Sequence, residues 1–145
     1  MIKFDKSIII NRPVEEVWKF ISNVENIPKW NRGTRKGRVT SEGKTGVGST
    51  VQYLRQFLGR QMLVKLRVSE YVPNTMISIA ISAGSVTAQT GFTFESVEGR
   101  TRLTHPSEIE LGGWWKSIIP ILIPMLERDG REDMANIKRL IEVPS

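Results

Sequence analysis

Cysteine is absent from the 145 residues, and histidine occurs once, at His105. The lack of cysteine excludes a disulfide framework, a thiolate metal site and a cysteine nucleophile. A single histidine excludes His-rich metal sites and the HExxH motif. A phosphate-binding glycine loop is missing as well, because the stretch GKTGVGST at 43–50 lacks the GxxxxGK spacing. We therefore expect no metal ion and no cofactor.

Long hydrophobic runs are also missing. A membrane-spanning helix needs about 20 apolar residues, whereas the most apolar run, 117–126, is ten residues long and contains two prolines. The opening residues MIKFDKSIII have neither a long apolar core nor a small-residue cleavage site, as a signal peptide would. We expect a soluble, cytoplasmic protein with no stable membrane insertion.

Charge is ordinary in amount but biased in sign, with a formal net charge of +6. Nucleic acid, an anionic membrane and an acidic ligand are the partner classes that such a bias suggests. The basic residues are scattered, and no RNA-binding strand signature, zinc finger or basic helix is present. The one cluster is best explained as a solvated loop and edge strand, where charge discourages edge-to-edge pairing. We expect no nucleic-acid partner. The cluster comprises Lys29, Arg32, Arg35, Lys36 and Arg38.

The first thirty residues predict a strand followed by two short helices. KFDKSIII alternates near its start, which suits a strand. Pro13 suits a first helical position, with Glu15 and Glu16 in the first turn, where the helix dipole favours negative charge. A second helical turn follows and is expected to stop at Pro28. One buried helix face is predicted from the spacing of Val14, Val17, Trp18 and Ile21.

The remainder predicts six strands and a long helix. From 34 to about 111, glycines and turn residues divide the chain, with tight hairpins expected at 57–61, 71–76, 81–86 and 97–102. Short connections imply an antiparallel meander. Beyond it, ERDGREDMANIKRLIE supplies the charged face opposite a long apolar helical stripe, so the fold class is α+β. That stripe comprises Ile118, Leu122, Met125, Met134, Ile137, Leu140 and Ile141.

The start of the long helix allows two interpretations. Pro120 and Pro124 stand one turn apart, and proline inside a helix costs roughly 3 kcal/mol. Either the regular helix begins only near Pro124, or a kinked entrance segment precedes it, with Trp114 and Trp115 as a hydrophobic lid. A membrane surface or a second subunit is a further use for these apolar residues.

The order of motifs resembles a known family. NRPVEEVWKFISNVENIPKW, then GVGSTV, EYVPN and GRTRLT among the strands, and the closing MANIKRLIE are similar to the START-like superfamily, often called SRPBCC. The nearest likeness is to its polyketide cyclase/dehydrase and lipid-transport branch, over essentially the whole chain as one ligand-binding domain, 1–145. The resemblance implies a helix-grip fold: a curved seven-stranded antiparallel sheet around a long C-terminal helix, two short helices between strands 1 and 2, and a deep apolar cavity between sheet and helix.

Strand periodicity gives candidate residues for that cavity. In the last strand, His105 shares the apolar face with Leu103, Ser107, Ile109 and Leu111. A buried histidine has a lowered pKa and serves as a general base or as a donor to a carbonyl, unless it is a core residue bonded to backbone. Pro106 predicts a bulge or local irregularity beside it.

Trp18 is expected in the core, and Trp30 either in the core or in the cavity wall. In the third strand, Tyr53, Arg55 and Phe57 share a face with Val51, although Arg55 also suits the surface. His105 is the one candidate catalytic residue. The candidate ligand-binding residues are Trp30, Tyr53, Arg55, Phe57, Leu66, Ala88, Phe92, His105, Trp115, Ile118, Leu122 and Met125.

Three functions remain open. The first is a carrier or sensor that binds a hydrophobic small molecule such as a lipid, isoprenoid or polyketide-like compound. The second is a cyclase, aromatase or dehydrase in which His105, with Tyr53 or Arg55, moves protons during aldol closure and loss of water. The third is a protein-interaction or assembly factor, or a homodimer, using the surface 114–125. No Ser–His–Asp arrangement or GxSxG motif points to a hydrolase.

Overall fold

The computed structural model describes residues 2–31, 34–39, 45–57 and 59–143, with the backbone alone for 35–39 and Phe57. Some predictions therefore lie outside the described residues. They concern Arg32 and the side chains of Arg35, Lys36 and Arg38 in the basic cluster, the side chain of Phe57, and Leu58 in the first hairpin turn.

Seven strands and three α-helices make up the described chain. The strands are β1 (Ile2–Ile10), β2 (Thr34–Val39), β3 (Thr50–Phe57), β4 (Arg60–Val72), β5 (Met76–Ala83), β6 (Val86–Val97) and β7 (Arg100–Leu111). The helices are α1 (Val14–Ser22), α2 (Ile27–Trp30) and α3 (Ile119–Glu142). Two 3-10 helices occur at Val24–Asn26 and at Gly113–Ile118, and we call the second one the tryptophan turn.

The strands form one antiparallel sheet in the order β1-β7-β6-β5-β4-β3-β2. Only β1 leaves the sequential order, because the chain begins at one edge and crosses to the other through α1 and α2. The predicted α+β class, the seven-stranded sheet and the two short helices after the first strand are thereby confirmed. The hairpin between β6 and β7 has both central residues in the left-handed region, Glu98 at φ 53° and Gly99 at φ 79°, which matches the twist of paired strands.

Two prolines take places other than those predicted. Pro13 precedes α1 rather than opening it, and its carbonyl accepts the Val17 N–H at 3.3 Å. Pro28 does not end a helical turn, since it lies in the first turn of α2. A missing N–H costs nothing at that position, because the first N–H groups of a helix have no partner within it.

The long helix α3 begins at Ile119, so the prediction that it starts near Pro124 is wrong. Pro120 lies in the first turn and Pro124 lies inside the helix, and both are exposed. The carbonyl that would have accepted a Pro124 N–H therefore lies on a solvent-facing side, where water can satisfy it. The tryptophan turn leads directly into α3.

The core fills one half of the space between the sheet and the helices. Trp18 lies between Tyr71 and Phe94, with both pairs of ring centroids 5.1 Å apart, and is a core residue as predicted. Around it pack fully buried aliphatic side chains of β1, α1, β7 and α3, namely Ile10, Val17, Leu103 and Ile137. The other half holds a cavity. Within the described ranges, no helix combines the length and apolar character that crossing a bilayer requires.

Candidate functional site

A cavity of about 220 Å³ lies between the concave side of the sheet and α3. Side chains from β1, β3, β4, β5, β6 and β7 line it, together with residues of α1, α2, α3 and the tryptophan turn. Most of the lining is aliphatic. It includes Val64, Leu66, Ile77, Ile79, Ile81, Ala83, Val86, Ala88, Ile109, Leu111, Leu122 and Leu126.

Period-two alternation explains which strand residues reach the cavity. In β7 the lining residues are His105, Ser107, Ile109 and Leu111, while Leu103 on the same face is in the packed core. In β6 the residues at 86, 88, 90 and 92 line the cavity, and Phe94 continues into the core. The side chains on one face of each strand therefore belong to the packed core at one end of the strand and line the cavity at the other end.

His105 is fixed in the cavity wall by one hydrogen bond and one stacking contact. Its Nδ1 donates to the carbonyl oxygen of Gly91 at 2.6 Å, and its ring stacks on Phe92 with centroids 4.4 Å apart. A carbonyl only accepts, so Nδ1 carries the proton and Nε2 of the neutral ring is the acceptor. Burial lowers the pKa of His105; the Gly91 bond opposes this, and the positive charge of Lys6 adds to the lowering. The ring is therefore uncharged at neutral pH.

Pro106 interrupts the ladder between β6 and β7 without shifting its register. Pairs are formed at Thr90↔Ser107 and at Thr93↔Thr104, and none is formed between them. This is the local irregularity that was predicted, but no extra residue makes it a bulge. Proline has no N–H for the neighbouring strand, and Gly91, opposite Pro106 in the register, receives the His105 ring instead.

Gly91 has a second role, which the sequence analysis did not identify. A methyl group at this position would overlap the carbonyl oxygen of Ile77 on β5. Glycine therefore allows β5 and β6 to approach where His105 is anchored. A lone glycine inside a strand pattern is the signal that marks such a close approach.

Two aspartates of α3 face the cavity, which corrects the prediction that the charged residues of this helix form only its outer face. Asp129 and Asp133 continue the stripe of Leu122 and Leu126 at spacings of three and four residues. Asp133 is 8% exposed and accepts from Asn31 Nδ2 at 3.3 Å. Thr34 Oγ1 donates in turn to Asn31 Oδ1 at 2.6 Å.

Arg55 reaches the cavity and pairs with Asp129, with 4.0 Å between Nη2 and Oδ2. Nearby, burial raises the pKa of Tyr53, Arg55 lowers it by a smaller amount, and Asp133 raises it. The hydroxyl of Tyr53 is therefore uncharged and available as a donor or an acceptor.

Lys6 of β1 contacts α3 on the side opposite to Arg55 of β3, and it was not predicted as a site residue. It pairs across the strands with His105, and both line the cavity. A methyl group at Gly130 would lie 2.8 Å from Lys6 Cε, so this lysine packs closely on the helix. The helix thus touches β1 through Gly130 and β3 through Asp129. Phe4 and Asn31 are further lining residues that the sequence analysis missed.

Trp30 lines the cavity, and its buried indole N–H has no acceptor in the described part of the chain. The residue is 8% exposed and meets Phe92 edge to face at 5.8 Å. Its carbonyl oxygen accepts from Asn136 Nδ2 at 3.3 Å, which ties α2 to α3.

The structure brings together nine of the twelve predicted ligand-binding residues and leaves out two. Ile118 and Met125 do not belong to the described lining, which corrects their predicted place. Met125 precedes Leu126 by one residue and so lies about 100° around the helix from it. Ile118 is the last residue of the tryptophan turn. The Phe57 side chain lies outside the described residues. Those that line the cavity are Trp30, Tyr53, Arg55, Leu66, Ala88, Phe92, His105, Trp115 and Leu122.

The tryptophan turn presents one ring to the cavity and one to the outside. Trp115 is buried and lines the cavity, whereas Trp114 is 46% exposed. The two rings stack with centroids 4.3 Å apart, and the Arg60 guanidinium lies 4.9 Å from the Trp114 ring. Ile121, at the start of α3, is 65% exposed.

Comparisons with known proteins agree with this architecture. The model of the family described as polyketide cyclase / dehydrase and lipid transport matches residues 1–142. No curated protein matches the sequence. Among solved structures, the Zhui aromatase/cyclase from Streptomyces sp. R1128 has a TM-score of 0.79 at 17% identity, covering 97% of this chain and 93% of that one.

Two further solved structures are similar. A conserved protein from Geobacillus kaustophilus has a TM-score of 0.82 at 17% identity, covering 97% of this chain and 95% of that one. A protein from Thermus thermophilus has a TM-score of 0.79 at 11% identity, covering 97% of each chain. At such identities these likenesses show the helix-grip fold and nothing finer.

Proposed function

The chain belongs to the polyketide cyclase/dehydrase and lipid transport family, and we propose that it binds one hydrophobic small molecule in the cavity, as a carrier or sensor. Lipids, isoprenoids and polyketide-like compounds are the ligand classes. The observation that carries the proposal is the cavity itself: about 220 Å³ with mainly aliphatic walls, between a seven-stranded sheet and one long helix.

The energetics favour an apolar occupant. Each buried methylene contributes roughly 0.8 kcal/mol to binding before the costs of association are subtracted. An empty apolar space gives up the dispersion contacts that its walls would otherwise make. Along the aliphatic walls water gains little, because a water molecule needs two to four polar partners and aliphatic side chains offer none.

Native mass spectrometry of protein purified from its own host, followed by extraction, tests the proposal. We expect one class of apolar molecule at close to one-to-one occupancy. Ala88→Phe places a large side chain in the cavity and should abolish this occupancy, while Gln89→Phe, on the exposed face of the same strand, should retain it. An empty protein that shows no thermal shift with any member of a lipid panel would contradict the carrier function.

A cyclase-type enzyme is the second candidate, and His105 is the observation that favours it. A neutral imidazole whose Nδ1–H is held by Gly91 offers Nε2 as a base inside an apolar cavity. With a polyketone, this base would remove a proton from a methylene between two carbonyls. The resulting carbanion would attack a ketone carbon of the same chain and so close the ring, and the alkoxide formed would take the proton back from the imidazolium. Loss of that hydroxyl with a neighbouring C–H proton, as one water, would then leave a double bond.

Turnover of a polyketide mimic separates this candidate from the first. His105→Ala should lower the rate by about 10²-fold or more if the imidazole is the base. A rate that is unchanged by the substitution removes the catalytic role. Ligand occupancy measured on the same variant shows whether the cavity still binds.

An interaction or dimerisation role rests on the exposed Trp114 and Ile121. Large exposed apolar side chains are a feature from which contact surfaces are built. Light scattering across a range of concentrations tests this candidate: a strict monomer with no partner in a pull-down experiment counts against it.

A further inference from the structure

We propose that the ligand carries an uncharged oxygen acceptor, a ketone or a hydroxyl, that accepts a hydrogen bond from Trp30 Nε1. The inference rests on the proposed binding function and specifies the chemistry of the ligand. Its starting point is the buried indole N–H, which has no acceptor in the described chain.

Trp30 is held by contacts from two elements. Its ring meets Phe92 of β6 in a T-shaped contact, and its backbone carbonyl accepts a hydrogen bond from Asn136 of α3. A buried donor without an acceptor is costly to a fold, so such groups nearly always have a partner. A ligand oxygen in the cavity would supply the acceptor that the protein does not.

The surrounding charges favour a neutral acceptor over a carboxylate. The neighbour of Trp30, Asn31, bonds to Asp133, and Asp129 lies one helical turn away on the same stripe. Arg55 is already paired with Asp129. The Lys6 ammonium lies 5.6 Å from the Phe4 ring centroid on the β1 side of the cavity. A carboxylate at Trp30 would therefore be buried beside aspartates, without a cation of its own.

Three matched probes separate the possibilities: naphthalene, 2-acetylnaphthalene and 2-naphthoate. They share an aromatic body and differ in having no head group, a neutral acceptor, or a charged one. Affinities are measured by calorimetry at pH 7.5 for the wild type, for Trp30→Phe and for Trp115→Phe. The last variant is the control, because Trp115 lines the same cavity but is not an unpartnered donor.

We expect the ketone's advantage over naphthalene to fall about fivefold in Trp30→Phe, as loss of one hydrogen bond predicts. Trp115→Phe should weaken both probes while leaving their ratio unchanged. The naphthoate should bind at least about tenfold more weakly than the ketone, since a buried carboxylate near like charges is unfavourable. The inference is overturned if the affinity ratio of ketone to naphthalene is unchanged in Trp30→Phe, or if the naphthoate binds most tightly of the three. Either result is compatible with the carrier function.

A second measurement needs no variant. The carbonyl stretch of ¹³C-labelled 2-acetylnaphthalene should move to lower frequency on binding to the wild type, because a hydrogen bond weakens the C=O bond. A stretch at its position in hydrocarbon solvent would show that no donor reaches it and would overturn the inference. If none of the three probes binds, this inference fails, and the extraction from the host decides separately whether the carrier function fails with it.

Discussion

The two halves of the molecule use the same strands for opposite purposes. In the packed half, β6 and β7 contribute Phe94 and Leu103 to a filled core around Trp18. Two to four residues further along the same faces, Thr90 and His105 line a cavity. Trp18 packs between two aromatic rings, whereas Trp30 keeps an unpartnered N–H. The comparison teaches that the same sheet can border a filled core or a cavity. The size of the inward side chains and the contacts that position α3 decide which of the two forms.

Support for the hollow half comes from the rim of the sheet. There α3 meets β1 where Gly130 lies against Lys6, and it meets β3 where Asp129 pairs with Arg55. Between these contacts β5 presents residues no larger than isoleucine, and β6 presents Val86, Ala88 and Thr90, with Phe92 as the one large side chain of the two strands. The helix therefore rests on the two sides and spans a space that these side chains do not fill.

The largest effect is expected from truncation in the packed half. Leu103→Ala should lower the free energy of unfolding by about 4 kcal/mol, because a fully buried side chain leaves a new void. Leu66→Ala, in the cavity wall, should cost about half as much, roughly 2 kcal/mol, because it only enlarges an existing space. Urea unfolding of both variants measures the difference. Equal costs would show that the two halves are packed alike.

A smaller effect is expected where β6 passes from one half to the other. Gly91→Ala should cost about 3 kcal/mol, because its methyl group would overlap the Ile77 carbonyl and force the strands apart. Gly46→Ala is the matched control: it meets nothing within 4 Å and should change stability by less than about 0.5 kcal/mol. Similar unfolding midpoints for the two variants would contradict the close approach.

The smallest effect is a dependence of the free energy of unfolding on pH, caused by His105 in the cavity wall. The folded pKa of His105 lies below the unfolded value of about 6.5, mainly because of burial. As pH falls below about 6.5, the unfolded chain binds the proton first, so stability declines until the pH reaches the folded pKa. Above pH 6.5 both states are neutral at this residue, and it contributes no pH dependence.

Urea midpoints between pH 5 and pH 8 check this expectation. His105→Asn keeps a donor for the Gly91 carbonyl and removes the titrating ring, so its midpoint should fall less steeply than that of the wild type below about pH 6.5. Parallel curves would mean that His105 titrates as an exposed histidine does.

Much of the scaffold was predictable because strands and turns depend on local chemistry. Alternation along β7 identified the face that carries His105, and glycine in left-handed conformation explains hairpins such as that at Gly99. Prolines were less predictable: Pro28 lies in a helix where a stop was expected, and Pro124 lies inside a helix that one interpretation expected to begin there. Their missing N–H groups matter only where a buried partner is left without a bond.

The sequence by itself determined the order of the elements along the chain, the inward face of β7, and the exclusion of cysteine and multi-histidine chemistry. The tertiary structure alone decided that Asp129 and Asp133 face the cavity and that Lys6 meets His105 across the strands. The physical reason is that periodicity tells which residues share a face, but not where a mixed face points. That direction depends on how a curved sheet and a helix meet, which is set by contacts between residues distant in the chain.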